Sequence, residues 1–136
     1  PICFEDTFGD TGRKMFLSGA RCFINLTNDA WSHSIACQNQ HLAMAVFRSV
    51  ENPIPTVRSS ASGQTCKINE KGVVENLAEP FEETFIIAEI PVYSVNKEPT
   101  FYTLYGDWLG NVYVVLSVIM LIIGIIKGII KICQSR

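Results

Sequence analysis

Pro1-Ile2-Cys3-Phe4-Glu5 opens the chain, with a cysteine between two apolar residues and a carboxylate two positions on. Read as a short buried strand, the stretch alternates its side chains, so Cys3 and Glu5 point the same way. A thiol and a carboxylate then share one patch at a strand end. Such a place suits thiol chemistry, because the thiolate is the reactive species and its neighbours decide how much of it forms. The competing reading is a buried strand cysteine acting as a small hydrophobe. These five residues alone favour the second reading.

Outward from this stretch the chain alternates helical and extended patterns. Residues 6–12 are polar with two glycines and read as a turn or loose helix start, and residues 13–18 as a helix ending at Gly19. Cys22, Phe23, Ile24 and Leu26 mark a buried strand, closed by the turn formers Thr27, Asn28 and Asp29. Asn25-Leu26-Thr27 matches a glycosylation sequon, a frequent chance match on what reads as a strand. Residues 40–51 carry Leu42, Ala45, Val46 and Val50 at helical spacing, and Asn52-Pro53 ends that helix. Residues 56–60 and 64–69 read as two strands, followed by a tight turn at Glu70-Lys71-Gly72 into Val73-Val74. Residues 84–92 are rich in β-formers, and residues 93–106 read as an irregular aromatic connection. This order predicts an α/β layered domain.

The last segment has a different character. Overall, 48% of residues are hydrophobic and 18% charged, and the mean hydropathy is +0.22. The excess lies in residues 112–126, which carry no charge. Taken from residue 109 to residue 130, the run is long enough to cross a bilayer, which needs ~20 residues. Trp108 and Tyr113 stand at one end as interfacial anchors, and Lys127, Lys131 and Arg136 at the other, where they can snorkel. Basic residues after the span place the C-terminus in the cytoplasm and the preceding residues outside. The expected organisation is a domain over residues 1–95, a connection over 96–108, a transmembrane helix over 109–130 and a cytoplasmic tail over 131–136. The chain opens without an initiator Met or leader, inside what reads as a strand, and is therefore expected to be the C-terminal portion of something longer.

The formal net charge is −2 with both signs interspersed, and no basic stripe with aromatic residues argues for nucleic acid as a partner. The cysteines are Cys3, Cys22, Cys37, Cys66 and Cys133; none form C-x-x-C pairs, which argues against a zinc ribbon or thioredoxin-type centre. Cys3 could pair with His33 or His41 as a Cys-His dyad, or work with a carboxylate and a lysine. Asp29 reads either as a pocket residue or as an Asx turn. Arg48 and Glu51, three apart on one helix, are spaced to pair with each other.

Several stretches together carry a resemblance: Ile2-Cys3-Phe4-Glu5, then Asn25-Leu26-Thr27-Asn28-Asp29-Ala30-Trp31, then Gln40-His41-Leu42-Ala43-Met44-Ala45 with Arg48 and Glu51, then Val57-Arg58-Ser59, and last Tyr105-Gly106-Asp107-Trp108 before the apolar run. In this order they resemble the C-terminal portion of the apolipoprotein N-acyltransferases, bacterial inner-membrane enzymes whose nitrilase-type (carbon-nitrogen hydrolase) domain is periplasmic. The resemblance implies an αββα sandwich followed by one C-terminal transmembrane helix. It implies a Glu-Lys-Cys triad in which Cys3 is the nucleophile, with the Glu and Lys upstream of this chain. Glu5, Phe4, Asn28, Asp29 and Trp31 match supporting positions. The implied partners are a membrane phospholipid as acyl donor and a diacylglyceryl lipoprotein as acceptor, with no cofactor and no metal. Two departures stand out: the family usually carries Tyr at the position of Phe4, and residues 32–39 diverge from its usual pattern after Trp31. An amidase of the same superfamily, or a membrane-anchored non-catalytic module with Cys3 simply buried, are the alternative readings.

Overall fold

The computed structural model describes residues 1–91 and 97–134. It divides the chain into two compact units, Pro1–Gly106 and Asp107–Arg136.

The first unit is built on a four-stranded sheet in the order β1 (Phe23–Asn28), β2 (Thr56–Ala61), β3 (Cys66–Ile68) and β4 (Val74–Glu75). β1 and β2 run parallel, and the later pairs are antiparallel. A parallel pair needs a crossover. Here the crossover is α2 (Ile35–Glu51). Ser34 caps this helix by accepting the Cys37 amide at 3.4 Å. The start therefore lies five residues before the one expected from hydrophobic spacing. Asn52, buried, donates to the Arg48 carbonyl at 3.0 Å, and Pro53 follows. A shorter helix, α1 (Gly9–Leu17), ends at Ser18, with Gly19 in the left-handed region at φ +99°.

Strand alternation decides which side chains meet the helices. On β1, Phe23, Asn25 and Thr27 are buried while Ile24, Leu26 and Asn28 are exposed. Register places Phe23 opposite Thr56, Asn25 opposite Arg58 and Thr27 opposite Ser60. The inner face is thus polar at the end where the strands point. An apolar cluster of Leu42, Ala45, Cys66 and Ile68, flanked by Val46 and Val74, sits where α2 covers β3. Of the four layers of a sandwich, the described residues form one sheet and the helical layer on one of its faces.

Three local expectations change. Residues 3–7 are a 3₁₀ turn (Cys3–Thr7), not a continuing strand; only Ile2 pairs, in a parallel bridge to Leu26. Residues 84–91 form no strand, and Phe85 and Ile87 are exposed; Val92 of that stretch lies outside the described residues. β-formers make a strand only where a neighbouring strand takes their backbone groups. The connection expected to be irregular contains a helical turn, α3 (Phe101–Tyr105). It is tied down by polar contacts. The Thr100 and Thr103 hydroxyls both donate to the Glu51 carbonyl, and Arg13 donates to the carbonyls of Thr103 (2.7 Å) and Leu104 (3.0 Å).

The second unit is a single helix, α4 (Trp108–Gln134), of 27 residues. At 1.5 Å per residue it is roughly 40 Å long, more than the hydrocarbon thickness of a bilayer. It is apolar enough to cross a membrane, and none of its described residues is buried. Such a surface is unfavourable in water and suits lipid.

Candidate active site

The site begins with a change of direction. The chain enters alongside β1, where the Leu26 amide donates to the Pro1 carbonyl at 3.4 Å. It then turns at Cys3, whose φ of +52° is left-handed and costly for a residue other than glycine. Several bonds hold this turn. The Ile2 amide donates to the Glu5 carboxylate at 2.7 Å, and the Thr7 hydroxyl to the Phe4 carbonyl at 2.7 Å. Asn25 of β1 donates to the Cys3 carbonyl at 3.2 Å and also to the Asp6 carboxylate. Cys3 and Glu5 are therefore related by a turn, not by strand alternation. The exposed Glu5 closes the turn on itself. The Cys3 sulfur, half-buried, lies 3.6 Å from the Thr27 hydroxyl.

Beneath the turn lies a buried ionic cluster joining four elements. Arg58 of β2, fully buried, donates to Asp6 at 2.7 Å and to Asp29 at 2.9 Å. His41 of α2 bridges the same two carboxylates, with Nε2 2.8 Å from Asp6 and Nδ1 2.9 Å from Asp29. The Ser60 hydroxyl adds a bond to Asp29 at 3.2 Å. Burial opposes a charge on His41, as does Arg58, but the bonds from Asp6 and Asp29 outweigh both and raise its pKa. Burial likewise works against an ionised Asp29, yet His41 and Arg58 hold its carboxyl below the usual range. The two carboxylates thus face a guanidinium and an imidazole whose protonated form they favour. Asp6, His41 and Asp29 are the residue types of a metal site, but Arg58 already stands where a cation would.

Arg48 extends the grip of α2 on the turn. It donates to the Thr7 carbonyl at 2.8 Å and pairs with Glu51 at 2.8 Å. Gly63 closes the other side. A Cβ there would stand 2.8 Å from Asp29 Cβ, so only glycine lets the loop approach.

The other expected residues take distinct places. Phe4 stacks on His41 with ring centroids 4.5 Å apart and meets Trp31 at 6.0 Å. Trp31 is largely exposed. Asn28 makes the Asx turn, accepting the Ala30 amide at 3.0 Å, which leaves Asp29 for the cluster. A Cys3–His41 dyad is excluded, because both ring nitrogens of His41 already face carboxylates. His33 is exposed, in the left-handed region at φ +42°. Burial raises the Cys22 thiol and pushes the Cys66 thiol up to about 11, so neither is primed as a nucleophile.

Sequence reasoning missed Asp6 and Arg58 as partners. The missed signal was an arginine at an inward position of β2, since a buried guanidinium requires buried carboxylates. Asp6 and Asp29 are two of the acids that lie in stretches read as turns.

A sequence profile described as carbon-nitrogen hydrolase matches residues 1–97. The chain belongs to the carbon-nitrogen hydrolase family. Within it, the chain is 41% identical to a Treponema denticola protein named apolipoprotein N-acyltransferase 1, over 96% of this chain and 24% of that protein. It is 40% identical to the Treponema pallidum protein of the same name, with the same shares covered. Identity to the apolipoprotein N-acyltransferase of Thermotoga maritima is 32%, over 93% of this chain and 25% of that protein. The chain thus spans about a quarter of the length of these relatives. Among solved structures, a carbon-nitrogen hydrolase from Helicobacter pylori superposes with a TM-score of 0.53 at 17% identity, covering 60% of this chain and 36% of that one. That likeness concerns the fold.

For a carbon-nitrogen hydrolase domain, the arrangement has a clear chemical capacity. It presents the half-buried Cys3 thiol on a hydrogen-bonded turn over the ionic cluster, while burial disfavours the thiolates of Cys22 and Cys66. A fixed nucleophile removes much of the orientational cost of attack on a carbonyl.

Proposed function

We propose that this chain is the nucleophile-bearing portion of an apolipoprotein N-acyltransferase, with Cys3 as the acyl carrier. The reading rests on one observation above others: the thiol-bearing turn and a membrane-length helix occur in one short chain. The match to relatives of that name, running over nearly the whole chain, supports it. A soluble amidase has no use for such a helix, whereas an enzyme whose two substrates are both anchored in a bilayer gains proximity from it.

In the proposed reaction the Cys3 thiolate attacks the ester carbonyl of a phospholipid acyl chain. The carbon–oxygen bond breaks, the lysophospholipid alkoxide leaves and takes up a proton, and the acyl group stays on sulfur as a thioester. The terminal amine of a diacylglyceryl-cysteine lipoprotein then attacks the thioester carbonyl. An amide forms, the carbon–sulfur bond breaks, the amine gives up its proton and the thiolate returns. Proton transfers fall to the Glu and Lys of the implied triad, neither of which lies in this chain. Glu5, Phe4, Asn28, Asp29 and Trp31 serve as supporting residues, through the turn, the ring stack and the cluster described above. The location that follows is the bacterial cytoplasmic membrane, with residues 1–95 periplasmic, residues 109–130 spanning and the C-terminus cytoplasmic.

The test uses the protein expressed from its complete coding sequence and incubated with phospholipid labelled in its acyl chain. Peptide mass spectrometry is expected to find the label on Cys3. Cys3→Ser is expected to lose both label and turnover while still inserting in the membrane. Normal turnover by Cys3→Ser would rule out the proposal.

A further inference from the structure

Thr27 lies on β1 between Asn25, which holds the Cys3 carbonyl, and Asp29, which anchors the ionic cluster. Its side chain is buried. The sequence marks it as a turn former inside the sequon and the Asn25–Trp31 stretch, and the ion pairs of the cluster close without it. Its hydroxyl nevertheless touches the reacting atom, 3.6 Å from the Cys3 sulfur and 3.3 Å from Asp29 Oδ1. A threonine hydroxyl has one proton to donate. It can serve the carboxylate or the sulfur, not both at once.

The surroundings decide between them. Asp29 is already supplied by stronger donors. Its Oδ1 faces His41 Nδ1 at 2.9 Å, and its Oδ2 takes Arg58 at 2.9 Å and Ser60 at 3.2 Å. Bonds from charged donors are roughly twice as strong as neutral ones. At 3.3 Å the Thr27 bond to Oδ1 is also long for a hydroxyl donor, whose usual oxygen distance is about 2.7–2.8 Å. His41 Nδ1, itself 2.7 Å from Arg58 Nη2, and the two donors at Oδ2 leave the Thr27 hydroxyl the most distant of the groups around Asp29. The Thr27 proton is left for the sulfur.

We propose that Thr27 is a catalytic residue, its hydroxyl donating to the Cys3 thiolate, with the Asp29–His41–Arg58 cluster keeping that proton available by satisfying Asp29 from its other sides. This rests on Cys3 being the nucleophile. The donor matters most when sulfur carries charge. It favours the free thiolate before attack, finds only a weak acceptor in the neutral thioester, and is restored as the amine expels the thiolate. An interaction that strengthens as charge develops on the leaving sulfur speeds that step.

The test is alkylation of Cys3 by iodoacetamide in the protein expressed from its complete coding sequence, followed by peptide mass spectrometry. At about pH 7, Thr27→Val is expected to slow Cys3 alkylation roughly tenfold, the size of one lost bond to a charged group. At about pH 10, above the ordinary range of cysteine thiols, the variant and wild type are expected to converge. Thr27→Ser, which keeps the hydroxyl, is expected to stay within about twofold of wild type throughout. Cys22 and Cys37 report the fold in the same digest, and their rates are expected not to move. An unchanged rate for Thr27→Val at about pH 7 would overturn the proposal. So would an equal loss at both pH values, which would mean blocked access or a disturbed fold. The alkylation readout needs no lipid. If labelled phospholipid never marks Cys3 in the wild type, the acyltransferase reading fails while the assignment of Thr27 is judged on its own result.

Discussion

Replacing Arg58 with Met should expose how much of this unit depends on the charges beneath Cys3. Arg58 is fully buried and ion-paired at 2.7 Å to Asp6 and 2.9 Å to Asp29, whose side chains are 1% and 2% exposed. Met keeps much of the volume and the apolar stem but removes the charge. Two buried carboxylates then face His41 as the remaining cation of the cluster. Breaking a buried ion pair by removing one partner costs about 3–5 kcal/mol. Some of this is returned. Arg58 Nη2 lies 2.7 Å from His41 Nδ1 and opposes its charge, so its loss strengthens the imidazolium. The lower end of the range, about 3 kcal/mol, is therefore expected. Urea unfolding of the detergent-solubilised protein, followed by pulse proteolysis, measures it. The double variant Arg58→Met with Asp29→Asn restores the charge balance and should recover more than half of the loss, since neighbours in one network are not additive. A cost for Arg58→Met of under about 1 kcal/mol would refute the reasoning, because a loss that small marks a solvated surface pair.

Titration of the same cluster gives a second expectation. His41 is raised in the folded state, so its contribution is complete below about pH 6.5 and is lost as pH climbs through its raised value; Asp29 is lowered, so its contribution holds above about pH 3.9 and is lost as pH falls through its lowered value. Stability should plateau between these limits, with a steeper alkaline fall in Arg58→Met; an alkaline limb identical in His41→Gln and wild type would contradict this. Gly63→Ala should destabilise by about 1–3 kcal/mol, since its Cβ would press on Asp29 Cβ; thermal unfolding within error of wild type would show that the loop can yield. Phe4→Tyr should be tolerated, because Phe4 is 43% exposed and a hydroxyl can reach solvent; a large loss of acyl transfer at unchanged stability would mean the pocket is built around the bare ring.

Much of the framework was legible because it obeys simple periodicity. The strand around Phe23 and the body of the helix through Leu42 and Ala45 lie where apolar spacing predicts, and the strands at residues 56 and 66 lie on either side of the turn formers at residues 61–63. The turn before β4 follows from Asn69, whose side chain accepts the Lys71 and Val73 amides, and from Gly72 at φ +82°. The apolar helix is legible from composition alone. Periodicity failed where burial is polar. The buried stripe of α2 includes Gln38, His41, Arg48 and Ser49, while Val50 is exposed; a search for apolar positions rotates that face wrongly. It failed again at Cys3, where side-chain bonds from β1 impose a backbone conformation that no local propensity favours. Residues 84–91 failed for the opposite reason, because their propensity is strong and the partner that would realise it is missing among the described residues.

The division of the interior has a consequence for how the site can loosen. The apolar cluster of Leu42, Ala45, Cys66 and Ile68 lies under β3, whereas the Cys3 turn is held by Asn25, Glu5, Arg48 and the cluster through Asp6. Apolar burial changes little with pH or salt, while ion pairs change with pH, and less with salt when buried. Titration of His41 should therefore release the turn before it melts the sheet. Hydrogen exchange resolves the two. As pH rises above neutral, amides of residues 3–8 should lose protection first, after correction for intrinsic exchange, while those of Cys66 and Ile68 hold. Loss of protection in both regions together would mean that the turn and the core form one cooperative unit, and that the polar cluster contributes to global stability without governing the geometry of Cys3 separately.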